Sequence, residues 1–132
     1  FKEHYSDEEV DLYFANGANQ AYLHLNGSWT NASDIAYKKD IEDITYGIDT
    51  VKKLKPRKYK HKGTNDDDIG FIAQEIESVV PEVVSGDDGS KGVSYGNLTA
   101  TLTKALQELI AKVETLEQEN KDIRNRLMNL EG

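Results

Sequence analysis

Residues 102–130 read LTKALQELIAKVETLEQENKDIRNRLMNL, and the spacing of their apolar side chains decides the architecture. Leu102, Leu106, Leu109, Val113, Leu116, Asn120, Ile123, Leu127 and Leu130 recur at alternating steps of four and three. That is a heptad seam, with Leu106, Val113, Asn120 and Leu127 at one core position and Leu109, Leu116, Ile123 and Leu130 at the other. No Gly or Pro interrupts 97–130, so one long helix is expected there. Lys112 precedes Glu117, Glu119 precedes Arg124, and Arg126 precedes Glu131. Each is the pair that meets between neighbouring helices of a parallel coiled coil, and all three are of opposite sign. The pattern therefore predicts a parallel homo-oligomer. The exposed pairs report register rather than strength. Asn120 sets register at some cost in stability, and in short peptides it leans towards a dimer, so the heptads by themselves leave dimer and trimer open.

Upstream of the helix the signals change. Gly86 to Gly92 reads as a turn-rich loop, Ala73 to Val80 as a short helix stopped by Pro81, and Ile69 to Ile72 as a buried strand or the start of a helix. Residues 63–68 read as a polar loop and Arg57 to Lys60 as a short strand. Asp40 is expected to cap a helix carrying Ile41, Ile44, Ile48, Val51 and Leu54 on one face, with Lys52, Lys53 and Lys55 at its end and Pro56 stopping it. In 1–32, Val10 to Phe14 and Gln20 to Leu25 have strand chemistry, punctuated by Asn16-Gly17 and Asn26-Gly27. The expected fold class is α+β: a short β-strand arm, a small α+β unit and a long C-terminal helix. Residues 1–32 read as the end of a β-rich structure lying upstream, and 33–132 as one further domain that includes the helix.

Composition narrows the function. The chain has 132 residues, 37% hydrophobic and 30% charged, with a net charge of -8. That suits a chain that buries surface by self-association, and it disfavours a free nucleic-acid binder, which would be basic. Without cysteine there is neither a disulfide framework nor a thiolate metal site. No apolar run approaches the roughly 20 residues a membrane span needs. The chain starts abruptly at Phe1 and reads as a fragment. His4, His24 and His61 are scattered. Asp66-Asp67-Asp68 and Asp87-Asp88 lack the spacing of a calcium loop, so no metal and no cofactor is expected.

The stretch Ser33-Asp34-Ile35-Ala36-Tyr37-Lys38-Lys39-Asp40-Ile41 sits between the strand-rich arm and the helical unit. With Gly70-Phe71-Ile72-Ala73-Gln74-Glu75, Pro81-Glu82-Val83-Val84 and Gly92-Val93-Ser94-Tyr95, it resembles the endosialidase-type intramolecular chaperone domains of phage tail fibres, tailspikes and neck appendages. The resemblance implies a homotrimer that registers an upstream β-structured passenger, such as a triple β-helix, and then releases itself. It implies a single-turnover serine endopeptidase with Ser33 as nucleophile and Lys38 as general base. A serine hydroxyl needs such a base, and a lysine serves only as the free amine. The cut falls among Ala32, Ser33 and Asp34. Attack on the Ala32 carbonyl closes a relaxed ring and favours Ala32–Ser33, with Ser33–Asp34 as the alternative. Asp34 orients Lys38 or simply holds a turn, and folding of the passenger is expected to bring Ser33 and Lys38 together. Gln74 and Glu75 are candidate supporting residues. Some members carry a histidine before the Ile-Gly pair, where this chain has Asp68. The implied setting is the host cytoplasm during assembly and the virion tail afterwards, with the chaperone domain absent from the mature particle. The rival is a trimerisation foot that never cuts.

Overall fold

The computed structural model describes residues 2–6, 9–16, 19–24 and 26–131, with side chains from residue 21 onward except Tyr22. It is α+β, with short strands and one long C-terminal helix. Contacts divide it into two compact units, residues 1–43 and 44–132. Ser33 and Lys38 both belong to the first.

The first unit is an antiparallel meander of β1 (Lys2–Ser6), β2 (Glu9–Asn16), β3 (Asn19–Leu23) and β4 (Trp29–Asn31), in that spatial order. Its register pairs Leu12 with Leu23, and Leu23 with Trp29. The Asn16-Gly17 turn lies outside the described residues. At Asn26-Gly27 the expected turn is formed. The Asn26 carboxamide accepts the Ser28 N–H at 2.9 Å, and Gly27 sits at φ 81°, where glycine is at ease.

The second unit runs α1 (Ile48–Val51), β5 (Arg57–Lys60), β6 (Asp67–Gly70), α2 (Ala73–Glu77), a 3₁₀ turn (Pro81–Val83), β7 (Val84–Ser85), β8 (Gly92–Val93) and α3 (Tyr95–Glu131). Strands β5 and β6 form one antiparallel pair and β7 and β8 another. The core is Ile76, Val80, Val83 and Leu98, with Tyr46, Leu54, Phe71 and Val93 packed around it. Leu98, Thr101 and Ala105 are the buried face of α3, at helical steps of three and four. From Leu109 to Glu131 every α3 residue is exposed.

Three expectations fail. No helix starts at Asp40. Asp40 has φ 50°, whereas a capping residue has an extended backbone, and residues 41–46 form no regular element. The helix begins only after Gly47 and ends at Val51, well before Pro56. Branched Ile44 and Thr45 followed by Gly47 disfavour propagation, and the Ile48 N–H is satisfied instead by the Glu108 carboxylate at 2.8 Å. Ile41 and Ile44 are accordingly exposed, while Tyr46 and Leu54 join the core. Ile69, expected to be buried, is 77% exposed. It lies on the outer face of a two-stranded ladder, and strand alternation turns Gly70 inward. Residues 67 and 68, expected in a loop, already belong to β6.

The packing explains several motifs of the second unit. A Cβ at Gly70 would collide with the Tyr95 hydroxyl, and the Tyr59 hydroxyl would lie 3.1 Å away. That same Tyr95 hydroxyl accepts the Phe71 N–H at 3.0 Å. The Glu82 carboxylate accepts the Tyr46 hydroxyl at 2.9 Å, and the Val83 carbonyl accepts the Ser94 N–H at 2.7 Å. Glu75 takes Arg57 in a two-pronged bond, Nε at 2.9 Å and Nη2 at 2.5 Å, with Lys55 3.9 Å away. The Arg57 hydrogen bonds hold the Glu75 carboxyl below its ordinary range, and the His61 hydrogen bond does the same for Asp68.

Two predictions arise from this packing. Gly70→Ala should destabilise the fold by about 1–3 kcal/mol in denaturant titration at fixed protein concentration, as overpacking does. The depressed Glu75 contributes stability that is present above its unfolded pKa and lost as pH falls through the folded one. Glu75→Gln should therefore lower the melting temperature at neutral pH and flatten its fall on acidification; an unchanged acid limb would contradict this.

Candidate active site and family membership

Strand β4 delivers the chain to Ala32 and Ser33. The Trp29 indole donates to the Asn31 carboxamide at 2.6 Å at the end of that strand. Asp34 then adopts φ -65°, ψ 141°, and its Oδ1 accepts the Ala36 N–H at 2.8 Å. This cap closes a single 3₁₀ turn over Ile35–Tyr37. The Asp34 carbonyl accepts the Tyr37 N–H, and the Ile35 carbonyl accepts the Lys38 N–H, both at 3.1 Å. Lys38 leaves the turn extended, at φ -118° and ψ 147°.

The result is a local clasp. Lys38 Nζ donates to Ser33 Oγ at 2.6 Å. Three residues of 3₁₀ helix rise about 6 Å, a distance the flexible four-carbon lysine stem spans. The turn itself makes this contact, so proximity needs no distant element. Ala32, Ser33, Asp34 and Lys38 are all exposed, as are Ile35, Tyr37 and Ile41 around them. Of the two roles considered for Asp34, the cap is the one with a direct bond; it positions Lys38 only through the turn. The N–H groups of Ala36, Tyr37 and Lys38 are engaged within the turn, so none of the three is free to stabilise an oxyanion.

The other candidates stand elsewhere in the chain. Gln74 lies exposed on α2, and Glu75 is committed to Arg57 within the second unit. His24 Nε2 meets the Thr30 hydroxyl at 3.0 Å, and His61 Nε2 meets Asp68 Oδ2 at 3.1 Å. The side chain of His4 lies outside the described residues. Asp67 pairs with Lys58 and Lys60 across the β5–β6 ladder. No group of metal-binding side chains occurs among the described residues, and no described helix is long and apolar enough to cross a membrane. The heptad residues Leu102, Leu106, Leu109, Val113, Leu116, Asn120, Ile123, Leu127 and Leu130 all lie on α3, exposed. Glu108, which caps α1, left no sequence signal, because its partner Ile48 is 60 residues away.

Residues 33–85 match the family described as the chaperone of endosialidase. The chain is 27% identical over 130 residues to the long tail fiber protein Gp37 of Enterobacteria phage K3, covering 94% of this chain and 10% of that protein. It is 28% identical over 130 residues to the Gp37 of Enterobacteria phage T2, with the same coverage. Over 106 residues it is 30% identical to the Gp37 of Salmonella phage S16, covering 71% of this chain and 14% of that relative. The chain thus spans only a small part of the tail fibre proteins it matches. The segment similar to the chaperone of endosialidase, residues 33–85, opens on Ser33, the residue that Lys38 clasps.

Proposed function

We propose that the domain 33–132 is an intramolecular chaperone that trimerises through a parallel coiled coil, registers the β structure of a phage tail fibre, and then cuts itself free. Residues 1–32 would be the last stretch of that passenger. The observation that carries the cutting is the 2.6 Å contact between Lys38 Nζ and Ser33 Oγ, held by the Asp34 cap. The matched family segment begins at that same serine. Parallel self-association is supported by the exposed heptad seam of α3 and its flanking pairs of opposite charge; the number three is what the resemblance to phage tail chaperone domains implies.

The chemistry balances as an acyl shift. Lys38, as the free amine, takes the Ser33 hydroxyl proton, and Oγ attacks the Ala32 carbonyl carbon through a five-membered ring. The Ala32–Ser33 amide breaks, its nitrogen leaves as the protonated amine of Ser33, and an ester joins Ala32 to Ser33 Oγ. Water then hydrolyses the ester, leaving a carboxylate on Ala32 and a free hydroxyl on Ser33. Cleavage at Ser33–Asp34 is the alternative bond. Each chain turns over once. The surface clasp supplies proximity; cover from folded passenger or sister chains would exclude water, and desolvation favours a neutral lysine.

The physical need for such a device is register. Long β assemblies are slow to align and prone to slip. A coiled coil raises the effective concentration of the other chains and fixes their stagger. Loss of the domain then leaves a kinetically trapped fibre. Assembly would take place in the host cytoplasm, and the mature virion tail would carry the fibre without this domain.

The test is expression of the chain with its upstream β region, followed by denaturing gels. Wild type should yield a fragment corresponding to residues 33–132, while Ser33→Ala and Lys38→Ala should remain full length. Asp34→Ala should slow cutting without abolishing it, because loss of a cap of about 1 kcal/mol loosens the clasp and leaves both reacting groups. Wild type that stays intact in a native trimeric fibre would establish the non-cleaving foot instead.

A further inference from the structure

Helix α3 has two apolar sides with different occupants. Leu98, Thr101 and Ala105 face the chain's own core, and α1 is held on that side by the Glu108 carboxylate on the Ile48 N–H. Between α1 and α3 runs an open apolar groove of about 300 Å³, with Ile48, Val51 and Lys52 on one bank and Ala105, Leu106 and Leu109 on the other. No described residue fills it. Leu106 and Leu109 remain half exposed there, at 56% and 50%.

The heptad register says what would meet this groove in a parallel assembly. Ala105 occupies the flanking position that Lys112, Glu119 and Arg126 hold in later heptads. The position that meets it on the neighbouring helix lies five residues further on, where later heptads carry Glu117, Arg124 and Glu131. For Ala105 that partner is Ile110. The pairing therefore changes from charged to apolar at the one heptad where α1 lies alongside. Ile110 is 48% exposed. It is not among the residues lining its own groove; it stands one turn beyond Leu106, about 40° further around the helix.

We propose that the α1–α3 groove is a socket for Ile110 of a second copy of this chain, so that each chain's globular unit grips the next chain's helix. The inference rests on the parallel trimer proposed above and adds to it a contact made by α1 beside the coiled-coil seam. The contact is heterologous, socket to knob, and closes into a ring when three copies engage. It would couple the second unit's stability to assembly, because a neighbour's Ile110 would cover Leu106 and Leu109 beside α1.

Paired cysteines separate the two levels, since the natural chain contains none. Lys52→Cys with Ile110→Cys probes the socket, and Glu119→Cys with Arg124→Cys probes the seam alone. Each double variant of the full chain is oxidised with oxidised glutathione and run on a non-reducing denaturing gel. Both should give a covalent trimer that reductant dissolves, because each chain links onward to the next. A trimer from the seam pair, with only monomer or an internal link from the socket pair, overturns the socket and leaves the assembly standing. Absence of trimer from both pairs overturns both.

Discussion

Large apolar side chains along α3 lie half in water, and no described residue covers them. Leu102, Leu106, Leu109, Leu116, Ile123 and Leu127 are each between 50% and 57% exposed. Burying the rest of each is worth on the order of 1 kcal/mol, repeated along a helix of 37 residues. An isolated helix of this length gains little stability from propensity alone, so the stripe sets the terms for everything else. The same helix anchors the small core through Leu98, Thr101 and Ala105. The element that anchors the second unit's core is thus also the one on which the proposed association would rest.

The clasp at Ser33 obeys a different logic. It is local, and its parts lie within six consecutive residues: a serine, an acidic cap, one 3₁₀ turn and a lysine. Such a unit forms at the surface with no contribution from a distant core. The Ser33–Lys38 contact lies within this turn. What a folded fibre and sister chains can add is exclusion of water and an oxyanion donor, because the turn engages three of its own N–H groups. Timing of the cut would follow from those two ingredients.

Legibility from the sequence divided along the same line. The long helix, the β5 strand, the α2 helix and the Asn26-Gly27 turn were readable, because periodicity and turn chemistry are local signals. The stretch 41–54 was misread. Its isoleucines have helical spacing, but a left-handed Asp40 and Gly47 beneath Glu108 confine the helix to one turn. The latter constraint comes from 60 residues away and is invisible to any local pattern. Ile69 was misplaced for a related reason: a short apolar run does not say which strand face is covered. At Asp34 the sequence left two roles open, orienting Lys38 or holding the turn, and the bond from the Ala36 N–H selects the turn. Glu75, a candidate supporting residue by motif, proved to hold Arg57, and Gly70 proved to make room for the Tyr95 hydroxyl. These parts of the motif have structural explanations.

The account stands or falls on whether the chain opens its own backbone beside Ser33. Intact-mass spectrometry of the protein purified with its upstream β region measures this directly. The account predicts a species whose mass corresponds to residues 33–132 beginning at Ser33, in equal number with a passenger ending at Ala32. A single uncut mass, in a preparation that is trimeric and native, would contradict it.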